Sequence, residues 1–241
     1  MNNDAFNNIW NWHQKMSGFL RFPFEGANQI SQNYSQAWQD IFVLSMLGGR
    51  LNGSYLEIGA NFAVANSNTA LLESSFGWDG FSLEIDPSFF RSWLVERPKA
   101  NFIIADALTI NYSEALFRWF GQDKNRIDYL QLDIEPSFNT LQVLKALPLD
   151  TCRFSVITFE TDAYMGDFRA RDESREILRQ HGYELVGRDI CVMFAPASPD
   201  PIPFEDWWVD PRVVDRNKIE ALQQLRDFPL LPQYILFKNF P

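Results

Sequence analysis

Short apolar runs alternate with longer amphipathic segments through most of this chain. The runs at 54–58, 80–84, 101–105, 127–132 and 153–160 have the length and the aromatic or β-branched content of strands. Between and after them, 65–76, 88–96, 112–120, 138–146 and 169–180 place apolar residues at helical spacing. Strands alternating with helices predict an α/β fold: a mostly parallel sheet with helices on both faces. The end of the pattern differs, because 183–188 and 190–194 read as two strands joined around Asp189, and so short a connection predicts an antiparallel pair. Upstream, a helix is expected from Gln36 to Leu47, stopped by Gly48-Gly49. Residues 1–30 read as a helical extension and 31–241 as the main domain. Phe6, Ile9, Trp10, Trp12, Met16 and Phe19 would form an apolar helix face lying on that domain or on a second subunit, which makes a homodimer an expectation. Downstream come a Pro-rich loop at 195–203, an acidic and aromatic segment at 205–211, a helix over 213–226 and an edge strand at 234–237.

Five of the strand-like runs close on a carboxylate: Glu57, Glu84, Asp106, Asp133 and Glu160. In an open parallel sheet the carboxyl ends of the strands line the ligand crevice, so this pattern predicts a row of acids along one edge.

Charge and composition narrow what that crevice serves. With 21 Lys and Arg against 31 Asp and Glu, the formal charge of -10 repels a phosphate backbone and argues against nucleic-acid binding. No apolar stretch is long enough to span a membrane and no secretory signal is evident, so a cytoplasmic protein is expected. Cys152 and Cys191 are too few for a disulfide framework and read as buried thiols.

The first strand runs into Glu57-Ile58-Gly59-Ala60-Asn61-Phe62-Ala63-Val64, which reads as a turn opening a helix at the crevice. A dinucleotide fingerprint needs glycine at the first, third and sixth positions; Asn61 and Val64 stand at the last two, which disfavours a nicotinamide cofactor. Glu84, 25 positions after Gly59, ends the next strand, where a carboxylate can accept hydrogen bonds from a ribose diol. Singly, each of these acids could equally be a helix cap or a solvated loop residue.

The remaining pattern, acid-x-Gly-x-x-x-small, resembles the first motif of S-adenosylmethionine-dependent methyltransferases. More specifically, the chain resembles the FkbM family of these enzymes over about 31–210. The resemblance rests on Tyr34-Ser35-Gln36 with Gln39-Asp40, Glu57-Ile58-Gly59-Ala60-Asn61, Ser67-Asn68-Thr69, Leu72-Glu73, Gly77-Trp78-x-Gly80 and Glu84-x-x-Pro87. Asp128-Tyr129-Leu130-x-Leu132-Asp133-Ile134-Glu135 and Ile157-Thr158-Phe159-Glu160 extend it. The resemblance implies a Rossmann-like class I methyltransferase fold and S-adenosylmethionine as donor. It implies a donor site of Glu57, Gly59, Glu84 and Asp106, with Ser35, Gln39, Asn61, Asn68, Ala107 and Asp133 beside them. The Asp133-Ile134-Glu135-Pro136 form together with Glu205-Asp206-Trp207-Trp208-Val209-Asp210-Pro211 most resembles members that methylate sugar hydroxyls in surface-polysaccharide pathways, some acting on nucleotide-activated sugars and some needing a divalent metal. The chain departs from the family at Phe62-Ala63, at Pro136 and at Thr161, where a histidine base is often found.

Methyl transfer from a sulfonium asks the protein to align donor and acceptor and to help a hydroxyl lose its proton. Of the two histidines, His13 lies in the expected N-terminal helix, and His181 reads as a helix-end residue. Asp133, Glu135, Glu160 and Asp162 are therefore the candidate catalytic acids. Two readings stand: Asp133, Glu160 and Asp162 hold Mg²⁺ or Mn²⁺, or one carboxylate serves as base without metal. Glu205, Asp206, Trp207 and Trp208 are expected to offer an acceptor-binding loop, and one of Arg169, Arg171 and Arg175 could meet a substrate phosphate. The resulting expectation is an O-methyltransferase acting on a nucleotide-activated sugar or glycan precursor. The rivals are methylation of a small-molecule natural product and a non-catalytic binding module.

Overall fold

The computed structural model describes residues 14–121, 125–192, 201–225 and 231–238. Its centre is a seven-stranded sheet: β1 (Ser54–Ile58), β2 (Asp79–Glu84), β3 (Asn101–Ile104), β4 (Arg126–Leu132), β5 (Arg153–Glu160), β6 (Glu184–Val192) and β7 (Ile202–Val209). They are ordered β3-β2-β1-β4-β5-β7-β6, with β1 to β5 parallel and β7 antiparallel to both its neighbours. This is the expected mostly parallel α/β sheet, Rossmann-like, with its antiparallel strands at one end. The order reverses between β1 and β4, which opens a crevice at their carboxyl ends.

Helices cover both faces, which is why the central strands are buried on both sides. Tyr55, Tyr129, Val156 and Trp207 join one core with α1 (Gln39–Leu47), α2 (Ala70–Phe76), α7 (Arg216–Gln223) and α8 (Pro232–Leu236). Leu56, Leu130, Ile157 and Trp208 join the other with α4 (Tyr112–Phe120), α5 (Ser137–Ala146) and α6 (Arg169–Gln180). On the β2 and β3 side, α3 (Phe90–Glu96) buries Trp93 against Phe102, Ala60 and Ala63.

Several expectations are corrected. The helix expected over 65–76 begins only at Ala70, because Asn61 and Asn66 take left-handed conformations and Ser67 Oγ accepts the Ala70 amide. The supposed pair of strands around Asp189 is one bulged strand, β6, with Asp189 at φ +51 marking the irregular stretch. The antiparallel partner is instead β7, drawn from the segment read as a loop. Residues 234–237 are mostly helical in α8, with Pro232 in its first turn, where the missing N–H costs nothing. Phe237 then bridges Leu20, and Arg21 donates to the carbonyls of Tyr234, Ile235 and Phe237. Most of the expected N-terminal helix, with His13, lies outside the described residues, as do 195–200 of the Pro-rich loop; Gln14–Phe19 forms a 3-10 helix. Both cysteines are buried, as expected.

Candidate active site at the carboxyl edge of the sheet

Register explains which acids meet. Ser82, Glu57, Gln131, Thr158 and Trp207 pair in turn across β2, β1, β4, β5 and β7. Two residues further on, the same pairing brings Asp133 beside Glu160, and Glu160 pairs directly with Glu205. Directly opposite residues share a face, so these carboxyls stand side by side.

The inner row is closed on itself. Glu57 Oε2 accepts the hydroxyls of Ser82 (2.6 Å) and Thr69 (2.8 Å), and Gln131 Oε1 accepts the Ile58 amide. Burial raises the Glu57 pKa, with Arg97 and the two hydroxyls working in the opposite direction.

Above this row lies a crevice of about 520 Å³, a size suited to a nucleoside-sized ligand. Of the residues expected to bind a donor, Glu57, Gly59, Asn61, Asn68, Glu84, Asp106, Ala107 and Asp133 line it. Glu84 ends β2, its Oε2 accepting the Asn61 amide and its Oε1 those of Ile85 and Asp86. Asp106 caps the turn after β3 by accepting the Leu108 amide, so the capping role and a place in the crevice coexist. Asn68 is nine-tenths buried and its Oδ1 has no hydrogen-bond donor.

Ser35 and Gln39 stand behind the crevice instead of in it. Ser35 Oγ donates to Asp40 and its backbone bridges Asn66, while Gln39 Nε2 donates to Glu205; Gln36 lines the site in their place. Gly59 has φ +83, and a Cβ there would stand 1.6 Å from the Asp133 carbonyl oxygen. The glycine is therefore demanded by the neighbouring strand end, whatever ligand approaches.

The turn after Gly59 is organised by a residue that sequence reading passed over. Arg97, 6% exposed, donates to the Ala63 carbonyl, to Ser67 and Thr69, to the Tyr55 hydroxyl and to Glu73, and its guanidinium stacks 4.5 Å from the Trp93 ring. Nothing in its local sequence marks it, because its partners come from four separate segments.

At the acceptor end, Asp133, Glu135 and Glu160 line the crevice, with Tyr164 and Phe204 as walls. Burial and the charges of Asp133 and Asp162 push Glu160 up to about 12, so it is neutral and donates to Asp133. Burial raises Asp133 too, but the Glu160 proton favours its charged form. Asp162 stands close enough for burial and the charges of Asp133 and Glu135 to raise it, but it does not line the crevice: its carboxylate accepts from the Tyr164 hydroxyl and the Ser137 amide. Among the described residues no group of three or more His, Cys, Asp or Glu could hold a metal ion. The expected Asp133, Glu160 and Asp162 metal set is not formed.

The segment expected as an acceptor-binding loop is strand β7, and its side chains are interior. Trp207 stacks on Phe42 at 4.2 Å, Trp208 packs in the opposite core, and both are fully buried. Asp206 receives Nε and a second nitrogen of Arg175 at 2.6 and 2.8 Å. Glu205, 2% exposed, accepts from Trp207 and Gln39, and burial pushes it up to about 8. Two of the three arginines are tied to nearby acids, Arg169 to Asp167 and Arg171 to Asp172. His181 follows the end of α6, its Nδ1 in contact with the Ile177 carbonyl.

Neither a protein-family model nor a curated protein matches this chain. Among solved structures, it is similar to a putative rRNA-methylase from Clostridium thermocellum (13% identity, 75% of this chain and 97% of that one, TM-score 0.47). It is also similar to an S-adenosylmethionine-dependent O-methyltransferase from Thermotoga maritima (12%, 76% and 68%, 0.45). A third likeness is to a TehB-like S-adenosylmethionine-dependent methyltransferase from Corynebacterium glutamicum (16%, 77% and 92%, 0.43). The Rossmann-like fold itself is read from the sheet order and the crevice at its reversal.

Proposed function

We propose that this chain is an S-adenosylmethionine-dependent O-methyltransferase, in line with its sequence resemblance to the FkbM family, and that its acceptor is a sugar hydroxyl. The observation that carries the reading is the crevice itself: residues expected to bind the donor converge there from β1, β2, β3 and β4, with Glu84 at the end of β2. The donor supplies a methyl group on a sulfonium. Glu84 offers carboxylate oxygens to the ribose hydroxyls, Ile85 and Leu108 present exposed apolar side chains suited to a nucleobase, and Asn68 Oδ1 offers a free acceptor to the ammonium. On the acceptor side Asp133 takes the hydroxyl proton, while neutral Glu160 holds it in place by donating to it.

Calorimetry with S-adenosylmethionine tests the donor half. Glu84→Gln is expected to weaken binding about tenfold, since a carboxylate acceptor pair becomes a single amide oxygen, and to cost about 1 kcal/mol of stability, since the new amide NH2 faces a backbone N–H of Asn61 or of Ile85 and Asp86. Unchanged affinity would remove Glu84 from the site. Because the acids form no metal ligand set, turnover is expected to survive exhaustive EDTA treatment; activity that disappears and returns with Mg²⁺ or Mn²⁺ would reverse that reading.

A further inference from the structure

Among the described residues, the charged side chains that line the crevice are all of one sign. Glu57, Glu84, Asp106, Asp133, Glu135 and Glu160 line it, and the described lining residues include no Lys, Arg or His. Glu160 is neutral, and Glu57 is enclosed by hydroxyls, which leaves Glu84, Asp106, Asp133 and Glu135 as a field without counter-charge. The arginines that follow β5 are committed: Arg169 to Asp167, Arg171 to Asp172, and Arg175, nearly fully buried, to Asp206 and Asp189.

Among the described residues, Asn68 Oδ1 is shielded from solvent with no hydrogen-bond partner, and at the acceptor end the carboxyls of Asp133 and Glu160 share a single proton, which leaves carboxyl oxygens there to accept. Such atoms are matched by a ligand that brings N–H or O–H groups, and a phosphate brings only acceptors. The wall at this end is aromatic, with Tyr164 46% exposed beside Phe204.

We infer that the acceptor carries no phosphate: it is a neutral or amine-bearing polyhydroxy ring that packs on Tyr164 and donates to the carboxylates and amides of the crevice. The inference rests on the methyl-transfer reading and departs from the nucleotide-activated sugar that the sequence suggested. The field that attracts a sulfonium repels a diphosphate, and like charges set against one another discriminate strongly between ligands. An aromatic face covers the C–H side of a sugar ring, as it covers other apolar surface.

The protein is first loaded with S-adenosylhomocysteine, whose binding is read separately; failure at that step counts against the methyl-transfer reading itself. The loaded protein is then titrated by calorimetry with UDP-glucose and GDP-mannose at low and high salt. No saturable binding is expected up to millimolar concentration. Submillimolar saturation by either sugar nucleotide overturns the inference. In a release assay for S-adenosylhomocysteine, methyl glycosides and amino sugars are expected to outperform the matched sugar nucleotides. Tyr164→Ala is expected to raise the acceptor KM about tenfold with donor affinity unchanged, and Tyr164→Phe to restore it. Sugar nucleotides used as well as neutral sugars, or a Tyr164→Ala KM equal to that of the wild type, would equally defeat it.

Discussion

Replacing Gly59 with alanine is expected to remove the folded, donor-binding protein. The added Cβ would lie 1.6 Å from the Asp133 carbonyl oxygen and 2.7 Å from its carbon, and the backbone at φ +83 is one that L side chains disfavour. Neither side can yield. The Gly59 and Ala60 amides are held to the Leu83 carbonyl at 3.0 and 2.9 Å, and the Asp133 amide is held to Ile58 at 3.0 Å. Overpacking a core costs about 1–3 kcal/mol where side chains can adjust, and here the collision is backbone on both sides, so a loss of at least about 3 kcal/mol is expected. For a chain of this size each kcal/mol lowers Tm by about 2–4 °C. Thermal unfolding followed by circular dichroism measures it, and a Tm within a few degrees of the wild type would show that β1 and β4 are free to separate.

The second large effect is expected at Arg97. Arg97→Met keeps much of the side-chain volume but leaves Glu73 without its charge partner, and the Ala63 carbonyl and the Tyr55 hydroxyl lose their donors. Breaking a buried ion pair from one side costs about 3–5 kcal/mol, because the remaining charge is left uncompensated. Urea unfolding reads that loss. Arg97→Lys should recover only part of it, since one ammonium cannot reach partners spread around a planar guanidinium. Donor affinity should fall as well, because the turn carrying Asn61 and Asn68 is tied to the sheet through this side chain. Arg216→Met, at a surface pair with Glu184 and Glu220, makes the control and should change stability by about 1 kcal/mol or less.

The contrast between these two residues shows what local pattern can carry. Gly59 stands out in the sequence because it follows an acid at a strand end, and a ligand contact is the natural reading of it. The structure gives it a second reason, the approach of Asp133 from a strand more than seventy residues away. Arg97 has no local signal at all. Glu205 to Trp208 misled for a related reason: acids beside aromatic residues read as a polar surface segment. A strand buried on both faces can carry acids when Arg175 and Gln39 reach them from elsewhere in the chain and Trp207 from within the strand.

By itself the sequence determined the parallel α/β core, its strand and helix succession to β5, and the acids that end those strands, because apolar periodicity and strand-end position are local properties. Asn61 and Val64, read locally, also break the glycine spacing of a dinucleotide turn. Tertiary structure alone decided which acids meet, since register across β4, β5 and β7 sets Asp133, Glu160 and Glu205 side by side and leaves Asp162 near them but outside the crevice lining. It decided that β7 enters the sheet between β5 and β6, that Ser35 and Gln39 support the crevice from behind, and that the described residues of the crevice lining bring carboxylates together without a cation among them. The physical reason is the same in each case: hydrogen bonding and charge compensation depend on neighbours in space, and those neighbours are contributed by segments far apart in the chain.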